Sequence, residues 1–204
     1  SRGLGDVYKR QIMLRIEKEL KIRIPHKEFE ELLARKGLDL VVELEVHQRD
    51  TFYDTEDMRI MRSGSAFRVR EESGRLLVCF KGGRRGTLVK QRLEVEGELG
   101  SPEADEALSL LSELIGAEIR RPSSLEELTE VLRSVGLYPR LTVEKRRRIC
   151  SIPGWRVKVC LDDVRELGEF VEVEGEDCLK LIELLRLLER AVPMTYAEML
   201  ACEK

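Results

Sequence analysis

The sequence predicts an α+β protein: a closed, antiparallel, eight-stranded β-barrel with a polar, charged lumen and helices packed outside it. Three observations lead there. Strand-like segments alternate apolar and charged residues with a period of two. Their charged faces repeat Glu pairs and Arg or Lys pairs, with little Ser, Thr or Gln among them. The helical segments carry apolar stripes that need a surface to cover, and the apolar strand faces supply one. The charged faces are then left to look at one another, and closing such a sheet removes its exposed edges. A sheet solvated on one side alternates too, but its outer face would be more mixed.

Each element follows from local pattern. Leu14 to Ile24 alternates, with charge at odd positions, and reads as a strand. Pro25 ends it and opens a helix with Phe29, Leu32 and Leu33 on one stripe, stopped by Gly37. Val41 to Val46 alternates again, and Asp50 to Thr55 leads into a turn. Phe67–Arg70 and Leu76–Lys81 form a hairpin about Ser73-Gly74, followed by a loop at Gly82–Gly86. Lys90 to Leu99 is the next strand. Ser101-Pro102 caps and starts a helix ending at Gly116, and Ser123 or Ser124 caps a second that ends at Gly136. Strands resume at Leu141–Ile149, Trp155–Leu161 and Phe170–Glu174. A helix over about Asp177–Arg190 and a short one over Thr195–Ala201 complete the pattern.

Bulk composition narrows the function. The 204 residues suit one large domain, and 37% are charged against ~25% in ordinary domains. Acids and bases nearly balance, 39 against 36, so nucleic acid, which calls for a basic excess, is not the expected partner. Five cysteines without a C-x-x-C pair fit a reducing, cytoplasmic setting rather than a disulfide framework. With two histidines far apart, a bound metal would rest on carboxylates, which favours Mg²⁺ or Mn²⁺. No apolar run approaches the ~20 residues of a membrane span. Residues 1–12 read like a non-native leader, with Met13 a plausible start and 13–204 one domain. Without the leader's three bases and one acid, 33 bases face 38 acids, a net charge of −5.

The charges that alternate inward are Glu17, Glu19 and Lys21; Arg68 and Arg70; Lys81; Arg92, Glu94 and Glu96; Lys145 and Arg147; Arg156, Lys158 and Asp162; Glu172 and Glu174. Crowded charges in a desolvated lumen need opposite charges or a bound ion. Carboxylates hold Mg²⁺, and Arg and Lys meet oxyanions, Arg through paired hydrogen bonds. A polyphosphate with its metal satisfies both sets at once.

In their order, these residues resemble the CYTH superfamily of triphosphate tunnel enzymes. The E-x-E-x-K signature is Glu17-Lys18-Glu19-Leu20-Lys21. Similar pieces follow: Asp50-Thr51-Phe52-Tyr53-Asp54-Thr55, Phe67-Arg68-Val69-Arg70, Phe80-Lys81-Gly82, Arg92-Leu93-Glu94-Val95-Glu96, Lys145-Arg146-Arg147, Leu161-Asp162-Asp163, Gly168 to Glu174, and Thr195-Tyr196-Ala197-Glu198. Phe52 and Phe80 stand where the family has aromatic hydroxyls. The resemblance implies that Glu17, Glu19, Glu94, Glu96, Asp162, Glu172 and Glu174 hold metal, directly or through water. It implies that Lys21, Arg68, Arg70, Lys81, Arg92, Lys145 and Arg147 bind phosphate, with Glu19, Lys21 and Lys81 catalytic. Arg156 and Lys158 stay outside the phosphate-binding set, because that face of their strand also reads as an outward one. The implied reaction is that of a class IV adenylyl cyclase, ATP to cyclic AMP and pyrophosphate. The alternatives are hydrolysis of thiamine triphosphate or tripolyphosphate, or a non-catalytic polyphosphate-binding module. A homodimer is left open.

Overall fold

A computed structural model describes residues 15–85 and 90–202, with side chains except at 15–17 and 84–92. The expectation for residues 1–12 falls outside that range. The elements are β1 (Arg15–Arg23), α1 (His26–Arg35), β2 (Val41–Asp54), α2 (Arg59–Arg62), β3 (Ala66–Glu72), β4 (Arg75–Arg85) and β5 (Lys90–Glu98). They continue with α3 (Pro102–Ile115), α4 (Leu125–Ser134), β6 (Tyr138–Ser151), β7 (Val157–Val164), β8 (Gly168–Gly175), α5 (Cys178–Leu184) and α6 (Tyr196–Cys202). Among the described residues no helix is long and apolar enough to cross a membrane.

The eight strands form one curled antiparallel sheet in the order β1-β5-β4-β3-β2-β6-β7-β8, which returns to β1. The return is made along a divided seam. Arg15 to Glu19 pair with β5, whereas Glu19 to Arg23 pair with β8, and Glu19 alone belongs to both ladders. The curled, antiparallel, eight-stranded sheet is as predicted, whereas an evenly laced barrel is not what the pairing gives: β1 divides its length between β5 and β8. Beside the second half of β1, the Val192 amide donates to the Lys21 carbonyl at 2.7 Å and Ala191 bridges Ile22.

Outward strand faces are apolar and carry the helices. Leu20, Ile22, Val159, Leu161, Val171 and Val173 pack under Phe29 and Leu33 of α1 and Leu181 and Ile182 of α5. On the other flank Phe67, Val69, Val78, Phe80 and Val95 pack under Leu108 and Leu111 of α3 and Leu128 and Leu132 of α4. The alternation therefore sorts as predicted, because neighbouring Cβ atoms point to opposite faces. Ser101 and Ser124 cap α3 and α4 through the amides of Ala104 and Glu127. The start of α3 lies so close to β5 that a Cβ at Gly97 would fall 2.6 Å from the Ala104 nitrogen. α6 does something different: Tyr196 and Leu200 pack with Val143, Val164 and Phe170 and stop one end of the sheet's interior.

Several boundaries depart from expectation. β2 and β6 run 14 residues each and pair along nearly their whole length. β4 continues through Gly82 and Gly83 to Arg85, where a loop was predicted, with a bulge in its pairing to β5. β7 starts at Val157 and runs past Asp162 to Val164. The predicted helix over 177–190 ends at Leu184, because Arg186 is left-handed (φ 58°) and the Leu187 amide reaches back to the Ile182 carbonyl. That is a Schellman-type stop without its usual glycine. It turns Leu187 into the core, and a short 3-10 turn over Leu188–Arg190 follows.

Candidate functional site

Strand register puts the charged rows face to face around the interior. β2 contributes Gln48 and Asp50, opposite Glu72 and Arg70 of β3. β4 places Cys79 and Lys81 beside Glu96 and Glu94 of β5. Arg147 of β6 lies beside Asp162 of β7, and Lys158 of β7 beside Glu174 of β8. β1 joins Glu19 to Glu174 and Lys21 to Glu172. One cavity of about 490 Å³ is lined by Glu19, Lys21, Arg68, Arg70, Lys81, Glu94, Glu96, Lys145, Arg147, Glu172 and Glu174. With Lys158, twelve of the residues singled out in the sequence therefore meet there. Glu17 and Arg92 are backbone partners on β1 and β5, but their side chains lie outside the described residues. Arg156 is exposed and pairs with Glu176 and Asp177, outside the cavity; Lys158 lines it and pairs with Glu174.

Two buried aspartates organise the bases. Asp50 accepts from Arg70 Nε and Nη2 at 2.6 and 2.9 Å and from Arg68 Nη1 at 3.3 Å. Arg68 continues to Glu96 at 2.9 Å and Glu94 at 3.5 Å, and Lys81 reaches Glu94 at 2.7 Å. On the opposite wall Asp162 accepts from Arg147 Nε and Nη2, both at 2.6 Å, from Lys145 at 3.3 Å and from the Tyr196 hydroxyl at 2.8 Å. Arg147 also holds Glu172, and Lys21 reaches Glu172 at 3.3 Å. The two walls repeat one device, a buried carboxylate that grips a guanidinium side-on and leaves the remaining donors turned inward.

The electrostatics follow from this pairing. Burial pushes the Asp50 carboxyl up, but Arg68 and Arg70 outweigh it and hold it well below the usual carboxylate range. Asp162 is lowered in the same way, burial being outweighed by Arg147 and Lys145. Glu172 lies far below its ordinary value, against burial, because of Arg147 and Lys21. Lys81 is raised: burial opposes its charge, and Glu94 overcomes burial. Burial and the neighbouring Arg147 lower Lys145. The thiols point the other way. Burial lifts Cys79 far above its normal value and Cys160 to about 12, so neither is a thiolate at neutral pH.

Among the described residues, two groups bring candidate ligand atoms close together. Oxygens of Glu19, Glu172 and Glu174 lie within 4.8 Å of one another. Bonds of ~2.1 Å around Mg²⁺ place neighbouring and opposite oxygens about 3.0–4.2 Å apart; the 4.8 Å bound is a little wider than that, and it is the all-oxygen chemistry of the set that suits a hard divalent cation. Cys79, Glu94 and Glu96 form the second group, but its protonated thiol is a poor ligand for such an ion. Asp162 is 0% exposed, stands behind the cavity wall and spends both oxygens on Arg147, Lys145 and Tyr196.

Asp50 enters the sequence pattern only within the Asp50–Thr55 motif, and Tyr196 only within the Thr195–Glu198 segment. The available signal for Asp50 was its place in the inward row Val46, Gln48, Asp50, where an aspartate in mid-strand runs against β propensity.

The chain is similar to several known proteins. A Methanocaldococcus jannaschii protein named "Putative adenylate cyclase MJ0240" is 23% identical over 160 residues, covering 78% of this chain and 76% of its own. The solved structure of PH1819 from Pyrococcus horikoshii superposes with a TM-score of 0.68 at 23% identity, covering 92% of this chain and 99% of that one. HpAC1 from Hippeastrum, whose structure is described with a dominant triphosphatase activity, gives a TM-score of 0.55 at 16% identity over 92% of this chain and 94% of its own. These likenesses show a shared fold. The CYTH domain model matches residues 15–180, the span that supplies every strand of the curled sheet and the helices α1 to α4, so the chain belongs to the CYTH domain family.

Proposed function

We propose that the chain is a metal-dependent enzyme that draws a triphosphate into an enclosed tunnel, with adenylyl cyclase chemistry, ATP to cyclic AMP and pyrophosphate, as the first reading. One observation carries it: six bases (Lys21, Arg68, Arg70, Lys81, Lys145, Arg147) line the same cavity as the Glu19–Glu172–Glu174 group. A triphosphate presents oxyanions along a short chain. The two arginine forks fixed by Asp50 and Asp162 suit such oxygens, while the lysines add point charge. Low-dielectric walls strengthen both.

A divalent cation held by Glu19, Glu172 and Glu174 would supply charge neutralisation on the phosphates and polarise the attacking oxygen. The chain's own residues position the reactants. Arg68, Arg70 and Arg147 orient the phosphate oxygens, and Lys21 and Lys145 bind from the α6 side. Lys81 lies close to Glu94 and to Glu19 of the carboxylate group. Asp162 takes the part of an organiser of bases rather than a metal ligand. In a cyclase the nucleophile is the ribose 3′-hydroxyl; in a hydrolase it is water.

The name of the M. jannaschii relative supports the cyclase, and the activity described for HpAC1 supports hydrolysis as the second reading. The test is to incubate the protein with Mg²⁺ and, separately, ATP, thiamine triphosphate and tripolyphosphate, and to identify products by mass. Cyclic AMP and pyrophosphate are expected from ATP. Orthophosphate as the sole product would replace the cyclase by a triphosphatase. Saturable binding without any product would reduce the chain to a binding module.

A further inference from the structure

The aromatic ring of Tyr196 lies against two ammonium groups of the cavity wall. Lys21 Nζ is 3.8 Å from the ring centroid and Lys145 Nζ is 5.0 Å from it. The hydroxyl of the same side chain donates to Asp162 at 2.8 Å, the carboxylate that also holds Lys145 and Arg147. Lys21 is further fixed by the Met194 carbonyl at 3.2 Å and Glu172 at 3.3 Å. The residues just before Tyr196 are tied to β1 by the Val192–Lys21 backbone bond. Phe170 packs edge-on to the ring, with centroids 5.2 Å apart, and holds its plane.

We propose that Tyr196 is a positioning residue for polyphosphate binding through its ring, which seats Lys21 and Lys145. This rests on the triphosphate reading above. Two ammonium ions set against one ring lose water on burial, so each needs a counter-surface. Carboxylates alone would provide one by neutralising the charge a phosphate must meet. The negative face of an aromatic ring stabilises the cations without forming a competing ion pair, and leaves their N–H groups for an oxyanion. α6 is on this account part of the phosphate site, not only the stopper of the curled sheet.

The test is calorimetric binding of tripolyphosphate with Mg²⁺, together with a melting curve for each variant. Tyr196→Phe keeps the ring and should bind within about twofold of the unaltered protein. Trifluorophenylalanine at the same position keeps the shape but removes the negative face, and should weaken binding on the order of tenfold. Leu200→Ala, in the same apolar cluster but away from the lysines, should lower the melting temperature and leave affinity unchanged. Equal affinity for the phenylalanine and trifluorophenylalanine proteins would overturn the inference, as would a loss of affinity in Leu200→Ala that matches that of the trifluorophenylalanine protein. If the unaltered protein binds no tripolyphosphate, the triphosphate reading falls and takes this inference with it. Binding that ignores fluorination removes the inference alone.

Discussion

Replacing Asp162 by Asn separates two roles for this residue. The carboxylate is fully buried and takes two hydrogen bonds from Arg147, one from Lys145 and one from Tyr196. Asn keeps the shape but loses the charge and turns an N–H₂ group toward guanidinium and ammonium donors. Breaking a buried pair by removing one partner costs about 3–5 kcal/mol. Glu172 still holds Arg147, which favours the lower end, about 3 kcal/mol. For a chain of this size that is a fall of roughly 6–12 °C in melting temperature. The assay is thermal or urea unfolding at pH 7 without added metal. A carboxylate lowered by folding adds stability above its unfolded pKa of ~3.9, and that stability is lost as pH falls through the lower folded value. The gap between the two proteins should therefore be full at pH 7 and shrink below about pH 4. A loss under ~1 kcal/mol without metal, with Mg²⁺ stabilising only the unaltered protein, would refute the organising role and restore Asp162 as a metal ligand.

Three further outcomes are expected. Glu19→Gln should lower Mg²⁺-dependent turnover by at least about a hundredfold, since several kcal/mol of charge stabilisation go with the ion, while the melting temperature stays nearly constant; unchanged turnover removes Glu19 from the chemistry. Gly97→Val should destabilise the protein by about 2 kcal/mol in urea unfolding, because its side chain collides with the start of α3; an unaltered midpoint would show that α3 shifts freely. Asp54 accepts from the amides of Thr55, Ile60 and Met61, so Asp54→Ala should cost roughly 2–3 kcal/mol and hasten proteolysis near α2; resistance equal to the unaltered protein would count against that cap.

The sequence made the strand faces legible because side chains alternate with a strict period of two. Leu20 and Ile22 had to face away from Glu19 and Lys21, and they do. It could not separate the roles of carboxylates that share one face. Whether Asp162 meets a metal or a guanidinium depends on the cross-strand register that sets it beside Arg147, and no local pattern encodes that register. The end of α5 was hidden for a related reason. Arg186 takes a left-handed conformation that glycine would have advertised, and the pull of buried Leu187 on the core decides the stop. Tyr196 was invisible as a site residue because its ring reaches the lysines only when α6 enters the end of the sheet.

The divided seam at β1 has a mechanical consequence. In an evenly laced cylinder, widening the bore means breaking rungs along a whole strand. Here the two ladders overlap at a single residue, Glu19, so opening the join would disturb the rungs at that residue rather than those of a whole strand. Glu19 is also a member of the carboxylate trio, so the join of the sheet and the place of one of those three oxygens depend on the same residue.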